Sequence, residues 1–419
     1  MRYYKWCGFV LTLFFIAFMA CACQLAGSRV PIKPSRQEKS KPLASKEQNV
    51  PKEQDASKEQ EVPLESANPV ESSSPVETKE EEGNLDQSKE IEMEPTVVNG
   101  IYVTGPRAGS AAMEDLIALV DQTKINAMVI DIKNDAGEVT YKMDEDTVNE
   151  IKAAKNYVPD MPALIQKLKK KNIYLIARIV AFKDPRLAEE KPELALKNKN
   201  GTIFRDKDKL AWVNPYQKEV WDYLLSIAKQ AVLLGFDEIQ FDYIRFSTDK
   251  KMKDVDFGAL AKQKSKEEII TEFTQYMHDE LSALGVFVSA DVYGIVINSE
   301  VDQEIVGQNY KDMAENLDYI CPMIYPSHYA DGSFGIEHPD LEPYELIKKA
   351  LDDSALVLKD SKKAAIVRPW LQDFTASWLP HHQTYGKEQV EAQIQALEDA
   401  GYNEWLLWNG SNHYTTLDD

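Results

Sequence analysis

Cysteine is scarce in this sequence, and clustered positive charge is missing. The chain of 419 residues holds four cysteines, too few for a disulfide scaffold. Neither a CxxC pair nor an HExxH motif occurs, so we predict no dedicated zinc site. A formal net charge of −21 argues against nucleic acid as a partner, because phosphate binding needs concentrated Lys and Arg. A chain of 419 residues, 43% of them hydrophobic, can form a sizeable core and has room for one large domain or two ordinary ones.

The N-terminus has the pattern of an export signal. A short basic segment precedes an apolar run, residues 7–20, which is shorter than the roughly 20 residues of a membrane span. Cys21 and Cys23 follow among alanines and resemble a bacterial lipobox, with Cys23 (or Cys21) as the lipidated residue; a plain signal peptide is the alternative. We therefore predict a signal peptide over 1–23. The protein is expected to be exported, either anchored at the bacterial membrane through a lipid or secreted.

Residues 24–95 differ in composition from everything that follows. No aromatic residue occurs between Phe18 and Tyr102, and Lys-Glu-Gln recurs at 46, 52 and 58 among Pro and Ser. Such a segment buries too little apolar surface to offset the entropy lost on ordering. We predict a disordered linker over 24–95 and a folded domain over 96–419, in which Cys321 is a small core residue.

The folded domain alternates strand-like apolar runs with segments of helical period. Amphipathic helices are expected before Gly235, Gly285 and Gly401, since glycine commonly ends helices. Eight strands separated by helices predict a (β/α)8 TIM barrel. A doubly wound sheet is the alternative, but its GxGxxG marker is absent, and we predict no cofactor. The predicted strands are 99–104, 127–133, 173–180, 238–243, 286–291, 319–325, 365–370 and 404–408.

In such a barrel, functional groups lie at the C-terminal ends of the strands. The residues at those predicted ends are carboxylates, basic residues and aromatics, which together suit a saccharide. The fourth strand alternates polar and apolar residues, so Glu238, Gln240 and Asp242 share a face, with Asp242 toward the mouth. Asp131 and Lys133 are expected to point the same way, so they could pair near the site; the alternative is that Asp135-Ala-Gly137 is simply a turn. The residues predicted to bind substrate are Tyr102, Asp131, Lys133, Asp135, Arg178, Tyr243, Arg245, Tyr325, His328, Arg368, Trp370, Gln372 and Trp408.

Asp242 and Asp291 end neighbouring strands and are the predicted catalytic pair. Glycosidic cleavage needs one carboxyl group to protonate the leaving oxygen and another to attack the anomeric carbon or activate water. A purely structural pairing of Asp242 with an arginine is the alternative, and Asp131 or Asp135 could hold one of the roles. His381 and His382 lack a third ligand nearby in sequence and are expected to be surface residues.

Five segments together resemble the DUF4015 family of glycoside hydrolase-like domains. They occur in order over roughly 97–415, at 212–215 (WVNP), 235–246 (GFDEIQFDYIRF), 288–292 (VSADV), 325–329 (YPSHY) and 368–372 (RPWLQ). The resemblance implies a TIM-barrel glycosidase. The placement is also similar to that of α-amylases, which implies Asp242 as nucleophile and Asp291 as acid and base. A chitinase-like motif departs at Ile244, where the catalytic glutamate would stand, so that chemistry is not carried over.

Two other functions fit the same sequence. One is a non-catalytic carbohydrate-binding barrel at the cell surface, which would keep the aromatic rim without catalysis. The other is a metal-dependent enzyme in which Asp131, Asp242 and Asp291 hold Mg²⁺ or a similar hard ion, with activity lost to a chelator. Export favours a cell-wall or extracellular polysaccharide as the partner.

Overall fold

The computed structural model describes residues 94–361 and 363–417. The predicted signal peptide with Cys21 and Cys23, and the predicted linker except for residues 94–95, lie outside the described residues. None of the helices in the described part of the chain has the length and apolar character that a membrane span requires.

Eight parallel strands form a closed barrel, as the sequence predicts. Each strand pairs with the next along the chain, and the last pairs with the first, which closes the sheet. Pro369 falls where the seventh strand is interrupted, as expected of a residue without a backbone N–H. The strands are β1 (Asn99–Val103), β2 (Ala127–Lys133), β3 (Tyr174–Val180), β4 (Glu238–Asp242), β5 (Phe287–Tyr293), β6 (Tyr319–Met323), β7 (Ile366–Val367 and Trp370–Gln372) and β8 (Trp405–Trp408).

Helices connect the strands around the outside of the barrel. A two-stranded antiparallel ribbon, Lys197–Asn198 with Val255–Asp256, lies in the insertions before and after the helix Lys218–Leu234. Short 3₁₀ helices cover Lys250–Asp254, Leu260–Lys262, Gly294–Ile297, Pro326–His328, Ser333–Gly335 and Pro339–Leu341. The α-helices are α1 (Gly105–Ala108), α2 (Met113–Gln122), α3 (Asp146–Glu150), α4 (Met161–Lys169), α5 (Pro185–Glu190), α6 (Lys218–Leu234), α7 (Lys266–Ser282), α8 (Glu300–Val306), α9 (Tyr310–Ala314), α10 (Pro343–Leu358) and α11 (Lys387–Asp399).

Local sequence signals explain where the long helices begin and end. Gly235 ends α6 at a φ of 97°, in the left-handed region that glycine adopts without strain. Ser265 and Glu268 form a capping box at the start of α7. The helix predicted before Gly285 is α7, which stops at Ser282 and leaves Leu284 exposed.

Two apolar layers hold the barrel together. The larger one lies between strands and helices, where Ile239 and Phe241 of β4 point outward. The smaller one fills the barrel and includes Cys321, a buried core residue as predicted. Glu238, Gln240 and Asp242 point inward, as their alternation predicts, and place polar groups at three heights inside the barrel.

Candidate active site

Arg178 of β3 links two carboxylates at the C-terminal mouth of the barrel. Its Nε and Nη2 donate to Asp242 Oδ2 at 3.1 and 2.5 Å, and its Nη1 donates to Asp131 Oδ1 at 2.6 Å. The Tyr102 hydroxyl donates to Asp131 Oδ2 at 2.5 Å, so both oxygens of Asp131 are engaged. Charge-assisted bonds of this kind fix the orientation of all four side chains.

Asp291 lies on β5, beside Asp242. The register that pairs Phe241 with Ala290 brings Asp242 and Asp291, the next residues of each strand, to the same height. The Trp370 indole Nε1 donates to Asp291 Oδ1 at 2.6 Å. Asp291 Oδ2 is buried and has no hydrogen-bond partner among the described residues.

The environment of Asp291 favours its protonated form. Burial raises the pKa of this carboxyl group well above its ordinary value, and the negative charge of Asp242 raises it further. The Trp370 hydrogen bond and the Arg178 charge oppose that rise without cancelling it. Asp291 is therefore a buried acid beside a carboxylate that is paired with arginine.

Aromatic rings line the mouth next to these carboxylates. Tyr102 and Trp408 stack with ring centroids 4.1 Å apart, and Trp370 meets Trp408 edge to face at 5.6 Å. The Arg178 guanidinium lies 5.4 Å from the Tyr102 centroid and 5.5 Å from that of Trp408. These rings fix the arginine by cation–π contact, and Trp408 is partly exposed.

Arg245 occupies an aromatic box beside the mouth. Its guanidinium lies 4.5 to 5.2 Å from the ring centroids of Tyr293, Tyr243 and Trp212, and its Nη1 donates to the Phe246 carbonyl oxygen. Tyr243 adopts a φ of 51°, a strained conformation for a bulky residue directly after a strand. Sequence reasoning identified Arg245 and Tyr243 but missed Trp212 and Tyr293.

Asp135 lies beyond the end of β2. It is exposed and forms an ion pair with Lys183 at 2.9 Å. Lys183 Nζ in turn lies 4.8 Å from the centroid of the Tyr243 ring. Sequence reasoning missed Lys183, because only the fold brings it to the rim.

The prediction for Lys133 is wrong. A bulge between Asp131 and Lys133 shifts the register of β2 against β3, so the two side chains do not share a face. Lys133 is fully buried, where it donates to the Val180 carbonyl oxygen at 2.7 Å and pairs with Asp184 at 2.8 Å. It holds the loop after β3 and does not reach the mouth.

The prediction that Arg368 binds substrate is also wrong. The strand resumes after Pro369 and ends at Gln372, so Arg368 lies deep in the barrel. Its guanidinium bonds both oxygens of Glu238 at 3.0 Å and Glu404 Oε2 at 2.9 Å. These partners sit at the N-terminal ends of their strands, so this ion cluster belongs to the bottom layer.

Gln372 ties loops together and does not face the mouth, contrary to its predicted role. It is fully buried: its Oε1 accepts from the Ser327 backbone N–H, and its Nε2 donates to Asp340 Oδ1 and the Phe374 carbonyl oxygen. This network positions the loops after β6 and β7.

Those two loops carry a further set of rings at the rim. Exposed His328 meets Tyr325 edge to face at 5.3 Å. Phe374 stacks on Trp378 at 6.1 Å, and Trp378 is 49% exposed. The sequence pattern did not single out Phe374 or Trp378, because neither lies at a predicted strand end. An exposed tryptophan beside a mouth of this kind is suited to stack on a sugar.

A barrel with neighbouring carboxylates, one of them a buried acid, and aromatic rings at its C-terminal mouth has the features of a glycosidase. The chain belongs to the DUF4015 family, whose model, "Putative glycosyl hydrolase domain", matches residues 100–414. This membership identifies the chain as a glycosidase-class enzyme and confirms the family resemblance of the five sequence segments. No curated protein sequence matches the chain.

Solved structures resemble this barrel. The PgaB (BpsB) glycoside hydrolase domain from Bordetella bronchiseptica has a TM-score of 0.52 at 12% identity, over 76% of this chain and 96% of that one, a likeness in fold alone. A hypothetical protein from Ruminiclostridium thermocellum ATCC 27405 is 44% identical, with a TM-score of 0.43 over 46% of this chain and 97% of that one. The Bacillus megaterium QM B1551 spore cortex-lytic enzyme SleL is 12% identical, with a TM-score of 0.44 over 77% of this chain and 73% of that one.

Proposed function

We propose that this protein hydrolyses glycosidic bonds of a cell-wall or extracellular polysaccharide, with Asp291 as general acid and base and Asp242 as the second catalytic carboxylate. The observation that carries the proposal is that Asp291 is buried, with one oxygen unpartnered among the described residues, beside arginine-paired Asp242; burial and the Asp242 charge raise the pKa of Asp291. Two carboxyl groups whose environments differ in this way can divide acid and nucleophile roles.

In the first step, Asp291 donates its proton to the leaving oxygen while Asp242 attacks the anomeric carbon. In the second, Asp291 takes a proton from water, whose oxygen displaces Asp242 from the sugar. The unpartnered Oδ2 of Asp291 is the atom suited to carry the proton, since Oδ1 accepts from Trp370. Arg178 would hold the carboxylate of Asp242 in a fixed orientation.

The contacts of Arg178 favour this mechanism over a hard metal ion bound by the three aspartates. The guanidinium already bonds Asp131 and Asp242, so a cation would have to displace it from both. Asp131 bonds Arg178 through one oxygen and the Tyr102 hydroxyl through the other, so it supports the orientation of Arg178 beside Asp242.

The substrate class rests on the expected export of the protein and on the rings at the mouth. A signal peptide followed by a linker would place the barrel in or outside the cell envelope, where polysaccharides are abundant. Trp408 and Trp378 are exposed enough to stack on sugar rings. The indole faces suit the C–H faces of sugars and require no charge on the ligand.

The test is reducing-end release from purified polysaccharides and cell-wall fractions by wild type, Asp242→Asn and Asp291→Asn, with binding measured in parallel. Asp121→Asn, on the surface helix α2, is the matched control. We expect both site variants to lose cleavage but keep binding, and the control to behave as wild type. Retention of anomeric configuration in the product would support attack by Asp242, whereas inversion would make Asp242 the base that activates water.

Three results would contradict the proposal. Cleavage that survives both substitutions would move the catalytic roles to Asp131 or Asp135. Binding without cleavage by wild type on every fraction would favour a carbohydrate-binding barrel. Activity lost to a chelator and restored by Mg²⁺ would favour the metal-dependent enzyme.

A further inference from the structure

Three side chains with metal-binding atoms converge where the loops after β6 and β7 meet. Asp331 and His338 come from the first loop and His381 from the second, on either side of α10 in the sequence. One ligand atom from each lies within 4.8 Å of the others. This cluster is separate from the carboxylates around Arg178.

The two imidazoles face the same carboxylate. His338 Nδ1 lies 3.3 Å from Asp331 Oδ1, and His381 Nδ1 lies 3.4 Å from Asp331 Oδ2. The two rings lie close together, with centroids 3.7 Å apart. His338 Nδ1 is buried and has no hydrogen-bond partner of normal geometry among the described residues.

These separations are long for charge-assisted hydrogen bonds, which are about 2.7–2.9 Å. Each histidine–aspartate separation is close to that of two atoms bound to one metal ion, and one ligand atom from each of the three residues lies within 4.8 Å of the others. Zinc bonds to nitrogen and carboxylate oxygen are about 2.0–2.1 Å, so two ligand atoms of a tetrahedral site lie about 3.3 Å apart. Imidazole and carboxylate together suit Zn²⁺ and its neighbours among the divalent transition metals.

The backbone around the cluster is already fixed. Asp340, two residues after His338, is buried and its Oδ2 accepts from the backbone N–H of Gln383, which is two residues after His381. The Asp340 carbonyl oxygen also accepts from Gln383 Nε2 at 2.7 Å and from the Tyr385 hydroxyl. The ligands would therefore bind a metal with little further ordering of either loop.

We infer that Asp331, His338 and His381 form a binding site for a divalent transition metal ion of the Zn²⁺ type, with water completing the coordination. The ion would clip the loop after β6 to the loop after β7. These loops carry His328 and Trp378, so the proposed metal site lies beside the rings at the rim and not among the carboxylates around Arg178.

The test uses the full chain, stripped with EDTA and titrated with ZnCl₂ by calorimetry. His338→Ala, His381→Ala and Asp331→Asn are compared with wild type. His382→Ala is the matched control: this neighbour of His381 faces the Leu379 carbonyl oxygen within its own loop. Zinc bound elsewhere on the chain would be common to all variants.

We expect wild type and His382→Ala to bind one more equivalent of zinc than the three site variants, or to bind it at least about tenfold more tightly. Co²⁺ should give the visible absorption of tetrahedral coordination in wild type and lose it in the same three variants. Equal stoichiometry and affinity in wild type and site variants, with all variants shown folded by circular dichroism, would overturn the inference.

The experiment measures zinc binding, so its result does not depend on whether the barrel cleaves a polysaccharide. If a chelator and the His381→Ala substitution weaken hydrolysis equally, the metal ion bound by His381 stabilises the loops after β6 and β7 for hydrolysis. If the chelator acts fully on the folded His381→Ala variant, a different metal is responsible for that effect.

Discussion

The hydrogen bond from Trp370 to Asp291 controls the acidity of the proposed acid, and replacing Trp370 by Phe tests it. The indole N–H donates to Asp291 Oδ1 at 2.6 Å and lowers the pKa of Asp291 against the larger effect of burial. A hydrogen bond to a charged group contributes about 1.5–3 kcal/mol, and one pKa unit corresponds to about 1.4 kcal/mol. Losing this donor should therefore raise the pKa of Asp291 by about one to two units.

The shift can be measured without knowing the substrate. Carbon-13 NMR of aspartate carboxyl carbons gives the titration curve directly, and the signal that disappears in Asp291→Asn identifies the residue. Trp405→Phe is the control, because Trp405 is equally buried but packs in the layer outside the barrel. Once a substrate is found, the alkaline limb of the kcat/KM profile should move in the same direction.

The reasoning fails if the Asp291 titration stays unchanged or moves to lower pH in Trp370→Phe. It also fails if Trp405→Phe produces an equal shift, since the effect would then come from looser packing. Thermal unfolding of both variants checks that each remains folded at the pH values used.

Three further results are expected. Arg368→Ala leaves Glu238 and Glu404 buried without their cation and should cost about 3–5 kcal/mol of unfolding free energy, measured by urea denaturation; an unchanged midpoint would show that the cluster is dispensable. Trp378→Ala should weaken oligosaccharide binding in affinity electrophoresis without changing Tm, because the ring is half exposed. The pKa of Asp291 is higher in the folded protein than in the unfolded chain, where it is about 4. The stability that Asp291 contributes is therefore fully present below a pH of about 4 and is lost as the pH rises through the folded-state pKa. The asparagine in Asp291→Asn does not titrate. Its Tm relative to that of wild type should therefore rise as the pH increases across that window, and a Tm difference that is independent of pH would contradict the raised pKa.

The strands could be predicted because each leaves a strong local pattern. All eight predicted runs coincide with strands whose bounds shift by at most a few residues. The alternation in β4 was sufficient to place Asp242 inside the barrel at its mouth, and the strand-end rule placed Asp291 beside it. Helix ends followed from single glycines such as Gly235. These signals are local, so no knowledge of the tertiary structure was needed.

The errors arose where one residue changes the register or where partners are distant in sequence. A bulge after Asp131 turns Lys133 away from the site, and Pro369 interrupts β7 so that Arg368 lies well below the strand's true end. Neither effect alters the apolar pattern from which the strands were predicted. His381 is exposed, as predicted, but its contact with Asp331 could not be predicted, because Asp331 lies 50 residues away along the chain.

Two buried clusters at opposite ends of the barrel show why only one of them is suited to catalysis. At the bottom, Glu238 and Glu404 both bond Arg368 directly. At the mouth, Arg178 bonds Asp131 and Asp242, but Asp291 receives only a neutral indole donor and keeps one oxygen unpartnered among the described residues. A carboxyl group buried without a cation takes up a proton, and that proton can be transferred to a substrate. The same fold therefore uses buried charge for stability at one end and leaves one acid unpaired at the other.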